Sequence, residues 1–174
     1  MQIRFSHVLP HPLEGMQYVQ DSLWHGKELV FEHGKTYEII ASSGKGKTTV
    51  LDMIFGRRKD YKGEVLINDE DVRGFSLNKW ARLRSENISY VFQGLRLFVH
   101  LTGWQNIEIK NRISRTIDKD TIQLFAEKLN IADQLNKKAG LMSYGQQQRL
   151  AIIRAFAQPF EWLMLDEPFS HLDT

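Results

Sequence analysis

The amino-acid sequence predicts an α/β domain in which an antiparallel β portion at the front precedes a mostly parallel core sheet with helices between its strands. Three observations predict it. Short alternating or β-branched apolar runs fill the first 40 residues. A glycine-rich stretch at 41–49 separates one such run from a helical pattern. An apolar run at 162–165 ends in two adjacent acids, Asp166 and Glu167. Strands that alternate with helices give a parallel sheet, because each crossover brings the chain back to the same end.

Composition narrows the class before any element is placed. The chain has 174 residues, 42% of them hydrophobic and 25% charged, which is enough apolar material for a core and too much for a disordered segment. It contains no cysteine, so disulfide frameworks and thiolate metal sites are excluded, and a reducing compartment is consistent with that. A net charge of +2 from interspersed 23 basic and 21 acidic side chains offers no clustered basic face, and no nucleic-acid partner is expected. No stretch approaches the roughly 20 apolar residues that cross a bilayer, so a membrane role would be peripheral. With no repeat and no Gly/Ser linker, 1–174 reads as a single domain.

The elements follow in order. Ile3 and Phe5 alternate as in a strand, and apolar runs at 29–31 and 37–41 flank the polar turn Glu32, His33, Gly34, Lys35. Val50, Leu51, Ile54 and Phe55 recur at helical spacing, with Gly56 as the stop. Val65 and Ile67 share one face of a further strand, and 88–92 reads as a buried strand. Ile122, Phe125, Ala126 and Leu129 form a helical stripe over 118–130 behind an acidic start. A last helix runs over 145–157 with Leu150, Ile153 and Phe156 inward, and the apolar strand 162–165 follows it.

The stretch Ala41, Ser42, Ser43, Gly44, Lys45, Gly46, Lys47, Thr48, Thr49 has the composition of a phosphate loop between a strand and a helix. A triphosphate needs many backbone donors converging without side chains in the way, and the following helix adds the positive end of its dipole. Gly44 and Gly46 permit the close approach. Lys47 would reach the β and γ phosphates, and Thr48 would offer its hydroxyl to Mg²⁺. The general pattern starts with glycine where this chain has Ala41. At the other end of the domain, Asp166 would hold the magnesium, directly or through water, and Glu167 would polarise the attacking water.

Between these two stretches lies Met142, Ser143, Tyr144, Gly145, Gln146, Gln147, Gln148, Arg149. With it the sequence resembles the nucleotide-binding subunit of an ATP-binding cassette (ABC) transporter, whose signature Leu-Ser-Gly-Gly-Gln precedes a helix ahead of the acidic pair. Two signature positions depart: Met142 stands for leucine and Tyr144 for glycine. The resemblance implies a P-loop NTPase fold of ABC type, with a helical signature subdomain inserted at about 94–150. It implies ATP and Mg²⁺ as ligands, a head-to-tail homodimer around two nucleotides, and an integral membrane permease as partner. The location it implies is the cytoplasmic face of the membrane. Ser143, Gly145 and Gln146 would contact the nucleotide of the opposite subunit.

Other positions carry over one at a time. Val91, Phe92 and Gln93 look like the glutamine loop, with Gln93 at the magnesium or the water. Ser170, His171, Leu172 and Asp173 look like the loop that follows the acids, with Asp173 crossing the dimer interface. The family's switch histidine lies further on than His171, so the resemblance implies a chain that stops short of it. The aromatic that stacks on adenine is expected upstream of the phosphate loop, where Tyr18 and Trp24 stand and neither has a distinguishing context. The spacing of Leu97, Phe98, Leu101, Thr102, Asn106 and Ile107 resembles the lipoprotein-release, cell-division and macrolide-export group. The implied activity is ATP hydrolysis coupled to transport, with Lys47, Gln93 and Glu167 catalytic. The alternative is a nucleotide-gated regulatory or scaffold protein that binds ATP with little turnover.

Overall fold

The computed structural model describes residues 1–16, 22–25 and 27–168. They fall into two compact units, Met1–Arg82 and Leu83–Thr174.

In the first unit, β1 (Ile3–Pro10) pairs antiparallel with β2 (Glu28–Phe31) on one side and with β3 (Tyr61–Ile67) on the other. The two-residue β4 (Glu70–Asp71) closes the order β2-β1-β3-β4. Ile3 faces Phe31 and Ile67 across the ladders, and Phe5 faces Leu29 and Val65. Alternation sends Ile3, Phe5, Val65 and Ile67 to one buried face, as the period of two requires. Helix α1 (Lys47–Ile54) buries Val50, Met53 and Ile54. It stops at Gly56, whose φ is +71° and where an added Cβ would lie 2.4 Å from the Trp80 ring. Only glycine meets both demands. Trp80 is the buried residue of α2 (Leu77–Glu86).

One expectation fails here. The run 37–41, read as the strand leading into the glycine-rich stretch and as the partner of 29–31, forms no ladder in the structure. The Tyr37 hydroxyl accepts from the Glu32 N–H at 2.9 Å, and its ring stands edge-on to Phe31 with centroids 5.0 Å apart. This closes the 32–37 turn on itself, so β2 pairs with β1 instead. Ile40 is 84% exposed.

The second unit holds a parallel pair, β5 (Ile88–Val91) beside β6 (Trp162–Leu165), in the register Ile88 to Trp162 and Val91 to Leu165. Both kinds of sheet are therefore present, with the parallel one limited to this pair among the described residues. β5 is buried at every position, as parallel strands are. Helices α3 (Gly103–Ser114), α4 (Lys119–Lys128) and α5 (Tyr144–Phe156) enclose a core of Ile107, Ile122, Ala126, Ile131, Leu150 and Ile153. The opposite side of α5 sets Ala151 and Ala155 against Val91 and Leu95. Phe156, expected inward, is half-buried against Phe125 and Phe160.

α3 went unread in the sequence although its start is well signalled. The Thr102 hydroxyl accepts from Gln105 N–H and the Gln105 amide oxygen from Thr102 N–H, a capping box. Among the described residues no helix is long and apolar enough to cross a membrane.

Candidate nucleotide-binding site

The phosphate loop belongs to the first unit. The Lys45 N–H reaches the Ser42 carbonyl at 3.3 Å to close a turn, and Gly44 (φ +76°) and Gly46 (φ +94°) bend the chain into α1. Gly46 is the N-cap residue and supplies no side-chain acceptor, so the first-turn N–H groups of α1 have no cap from that position. An uncapped helix start opening on a concave turn is the backbone arrangement that receives anions. Ser42, Ser43, Gly44, Lys45 and Thr48 are exposed, while Lys47 and Thr49 are half-buried. The Lys47 ammonium donates to the Ala41 carbonyl at 2.8 Å and so lies back over the loop. Thr49 accepts from Arg58 at 3.3 Å. A cavity of about 590 Å³ adjoins the loop, lined among others by Trp24, Tyr37, Ile40, Ser42, Lys45 and Lys47.

Trp24, one of the two aromatics expected upstream of the loop, packs beneath the loop. It is 4% exposed, its indole N–H donates to the Lys45 carbonyl at 2.9 Å, and its ring lies where a Cβ on Gly46 would need to be. These contacts prop the loop from below. Tyr18, the other aromatic upstream of the loop, lies outside the described residues.

The two acids belong to the second unit and follow from the parallel pair. The Asp166 N–H continues the ladder to the Val91 carbonyl at 3.0 Å, which places both acids just past the C-terminal end of β6, beside that of β5. Asp166 is 4% exposed and accepts from the Tyr90 hydroxyl at 3.3 Å. Glu167 has φ +49°, an unusual conformation for a residue with a Cβ, and its carboxylate accepts from the Gln93 amide at 2.9 Å. Gln93 and Glu167, read separately in the sequence, are thus hydrogen-bonded.

The signature residues open α5. Ser143 is its N-cap: the hydroxyl accepts from Gln146 N–H at 3.3 Å, and the Gln146 amide oxygen accepts from Ser143 N–H at 2.9 Å. Gly145 borders open space. Tyr144 is 39% exposed and its hydroxyl donates to the Gln93 carbonyl at 3.1 Å, a contact that no sequence pattern signals. At the other end of α5, Arg154 donates to the carbonyls of Leu95 and Arg96 at 2.6 and 2.7 Å. Those two residues have φ of +54° and +51°. Burial pulls the Arg154 guanidinium down to about 10, so it stays a cation at neutral pH. Burial, and then the Arg154 charge, also lower the Lys110 ammonium. Ser170, His171 and Asp173 lie outside the described residues.

The family model described as ABC transporter matches residues 25–170. The chain belongs to the ABC transporter family. Its fold matches the dimeric structure of a bacterial ABC transporter cassette with a TM-score of 0.79 at 26% identity, covering 98% of this chain and 76% of that one. Among curated relatives of this ABC chain, a molybdate/tungstate import ATP-binding protein of Pyrococcus horikoshii is 34% identical over 152 residues. That alignment covers 84% of this chain and 42% of the relative. A macrolide export ATP-binding/permease protein of Shewanella is 32% identical over 152 residues, covering 84% of this chain and 23% of the relative. The chain therefore spans less than half the length of these two relatives. Import and export names stand at nearly equal identity, so the family is fixed while the direction of transport is not.

Proposed function

We propose that this chain is the ATP-binding and ATP-hydrolysing subunit of an ABC transporter, driving a separate membrane permease through ATP-dependent dimerisation. In this reading Ser42, Ser43, Gly44, Lys45, Gly46 and Thr49 line the phosphates with their backbone N–H groups or hydroxyls, and Lys47 neutralises the β and γ oxygens. Thr48 and Asp166 would hold Mg²⁺, assisted by Gln93. Their hydroxyl, carboxylate and amide oxygens are the hard donors that this ion takes alongside phosphate and water. When bound, the magnesium supplies charge neutralisation at the transferred phosphoryl group. Glu167, oriented by Gln93, accepts the proton of the attacking water.

The single observation that carries the reading is the hydrogen bond between Gln93 and Glu167 at the ends of neighbouring parallel strands. A solvated acid at a strand end needs no such partner, whereas a general base needs a fixed direction. The same observation favours turnover over passive binding. Ser143, Gly145, Gln146 and Asp173 would complete the nucleotide site of a second copy. The stretch 94–150 would act as the signature subdomain. Phe98, Val99 and Leu141 expose apolar side chains there, and the Gly140 N–H bonds the Val99 carbonyl at 2.9 Å, which supports a docking face for the permease. Such a subunit would work at the cytoplasmic surface of the membrane, and its resemblance within the family would be to the lipoprotein-release, cell-division and macrolide-export group.

The test is Glu167→Gln. Magnesium ATP should still bind, phosphate release should fall by two orders of magnitude or more, and the doubled mass of a dimer should persist in ATP. Release at the parental rate would remove Glu167 from catalysis and the proposal with it.

A further inference from the structure

Tyr144 stands where the family signature has glycine, and its side chain does something that no glycine can do. Its hydroxyl donates to the carbonyl of Gln93, 51 residues away, while the amide of the same Gln93 donates to Glu167. One residue therefore receives a bond from the start of α5 and passes one to the acid. The turn that begins at Gln93 is held at a second place by Arg154, whose two bonds to the Leu95 and Arg96 carbonyls come from the other end of the same helix. Of these anchors the Arg154 bond to Leu95 is part-buried, while the Arg154 bond to Arg96 and the Tyr144 contact, on a side chain 39% exposed, are open to solvent, and only the Tyr144 hydroxyl donates without a charge to strengthen its bond. Its sequence neighbours Ser143, Gly145 and Gln146 are those that the proposed function assigns to the opposite subunit's nucleotide.

We propose that Tyr144 is a positioning residue that ties the partner-facing start of α5 to this subunit's own Gln93 and, through the Gln93 amide, to Glu167. The inference rests on the reading of the chain as a dimerising ATPase. A nucleotide held against Ser143 and Gly145 by one subunit then bears on the geometry of the acid in the other nucleotide's site. The two sites are linked by a hydroxyl that the usual signature lacks. Any such link is reciprocal in binding, because a coupling free energy belongs to the pair of sites.

The experiment is steady-state phosphate release against ATP concentration in magnesium for the full chain, Tyr144→Phe and Tyr144→Gly, with magnesium ADP affinity measured alongside. Removing one hydrogen bond should lower kcat about threefold to tenfold. ADP affinity should stay within about twofold, because the phosphate loop is untouched. The Hill coefficient should fall toward one, and phenylalanine and glycine should behave alike, since both lack the hydroxyl. Unchanged kcat and Hill coefficient in Tyr144→Phe, with the parent active and dimeric, would overturn the role of Tyr144 alone. A matching loss of ADP affinity and melting temperature would also overturn it, by showing a general structural part. A parent that neither turns over nor dimerises would overturn the underlying reading and this inference together.

Discussion

The indole N–H of Trp24 donates to the carbonyl oxygen of Lys45 at 2.9 Å, so a buried side chain outside the phosphate loop fixes the direction of a peptide inside it. Trp24→Phe keeps an aromatic ring but deletes the donor and part of the volume. The expected result is a loss of about 1–2 kcal/mol, or roughly tenfold weaker magnesium ATP binding. Isothermal titration checks it. Unchanged affinity would show that the loop holds its shape without the indole.

Gly46 packs against the same ring. A Cβ there would come within 2.9 Å of both Leu13 Cδ1 and Trp24 Cζ2, at a φ of +94° that side chains avoid. Strain and overlap together should cost Gly46→Ala about 2–4 kcal/mol. Since the added carbon sits at the helix start, nucleotide binding should disappear before the fold does. Comparing titration with far-ultraviolet circular dichroism separates the two losses.

The contrast between these residues shows what the sequence made legible. Gly44, Gly46, Lys47 and Thr48 are local: their spacing states a turn and a helix start, and the structure has both. Asp166 and Glu167 were legible because an apolar strand delivers them. Trp24, Tyr90 and Tyr144 act through partners 21, 76 and 51 residues away, and nothing periodic encodes such a meeting. The run 37–41 was misread for a related reason. It has the composition of a strand, but whether a strand forms is decided by what lies alongside, and Tyr37 instead closes the turn against Glu32. α3 was a different failure, since Thr102 and Gln105 announce its start.

Asn106 is fully buried and staples the stretch before α3, donating to the Phe98 and Thr102 carbonyls at 3.0 Å each and accepting from the Phe98 N–H at 2.9 Å. Truncation would strand those groups in the interior. Asn106→Ala is expected to lower stability by about 2–4 kcal/mol. Urea unfolding gives the magnitude. Hydrogen exchange should show the Phe98 amide losing protection ahead of the rest of the unit.

The Tyr61 hydroxyl is buried without a hydrogen-bond partner among the described residues, and burial, with Asp71 adding to it, pushes its pKa up from 10.0 to about 12. Two consequences are measurable. At neutral pH, Tyr61→Phe should be more stable than the parent by about 1 kcal/mol, because an unsatisfied polar group is removed. In base, the folded chain holds this proton longer than the unfolded chain does. Stability present below pH 10 is therefore lost as the pH rises through 12, by about 2–3 kcal/mol in total. The difference in melting temperature between variant and parent should widen over that window. A constant difference would mean that Tyr61 titrates normally.

α5 grips the turn after β5 from both ends, with Tyr144 on Gln93 and Arg154 on Leu95 and Arg96, while Leu150 and Ile153 face the helical core between them. Those duties depend on a fixed angular relation along one helix. Inserting a single residue anywhere between them would rotate everything beyond it by about 100° and carry one grip off the turn, whatever residue was added. The segment from 144 to 154 can therefore vary in chemistry at many positions and in length at none.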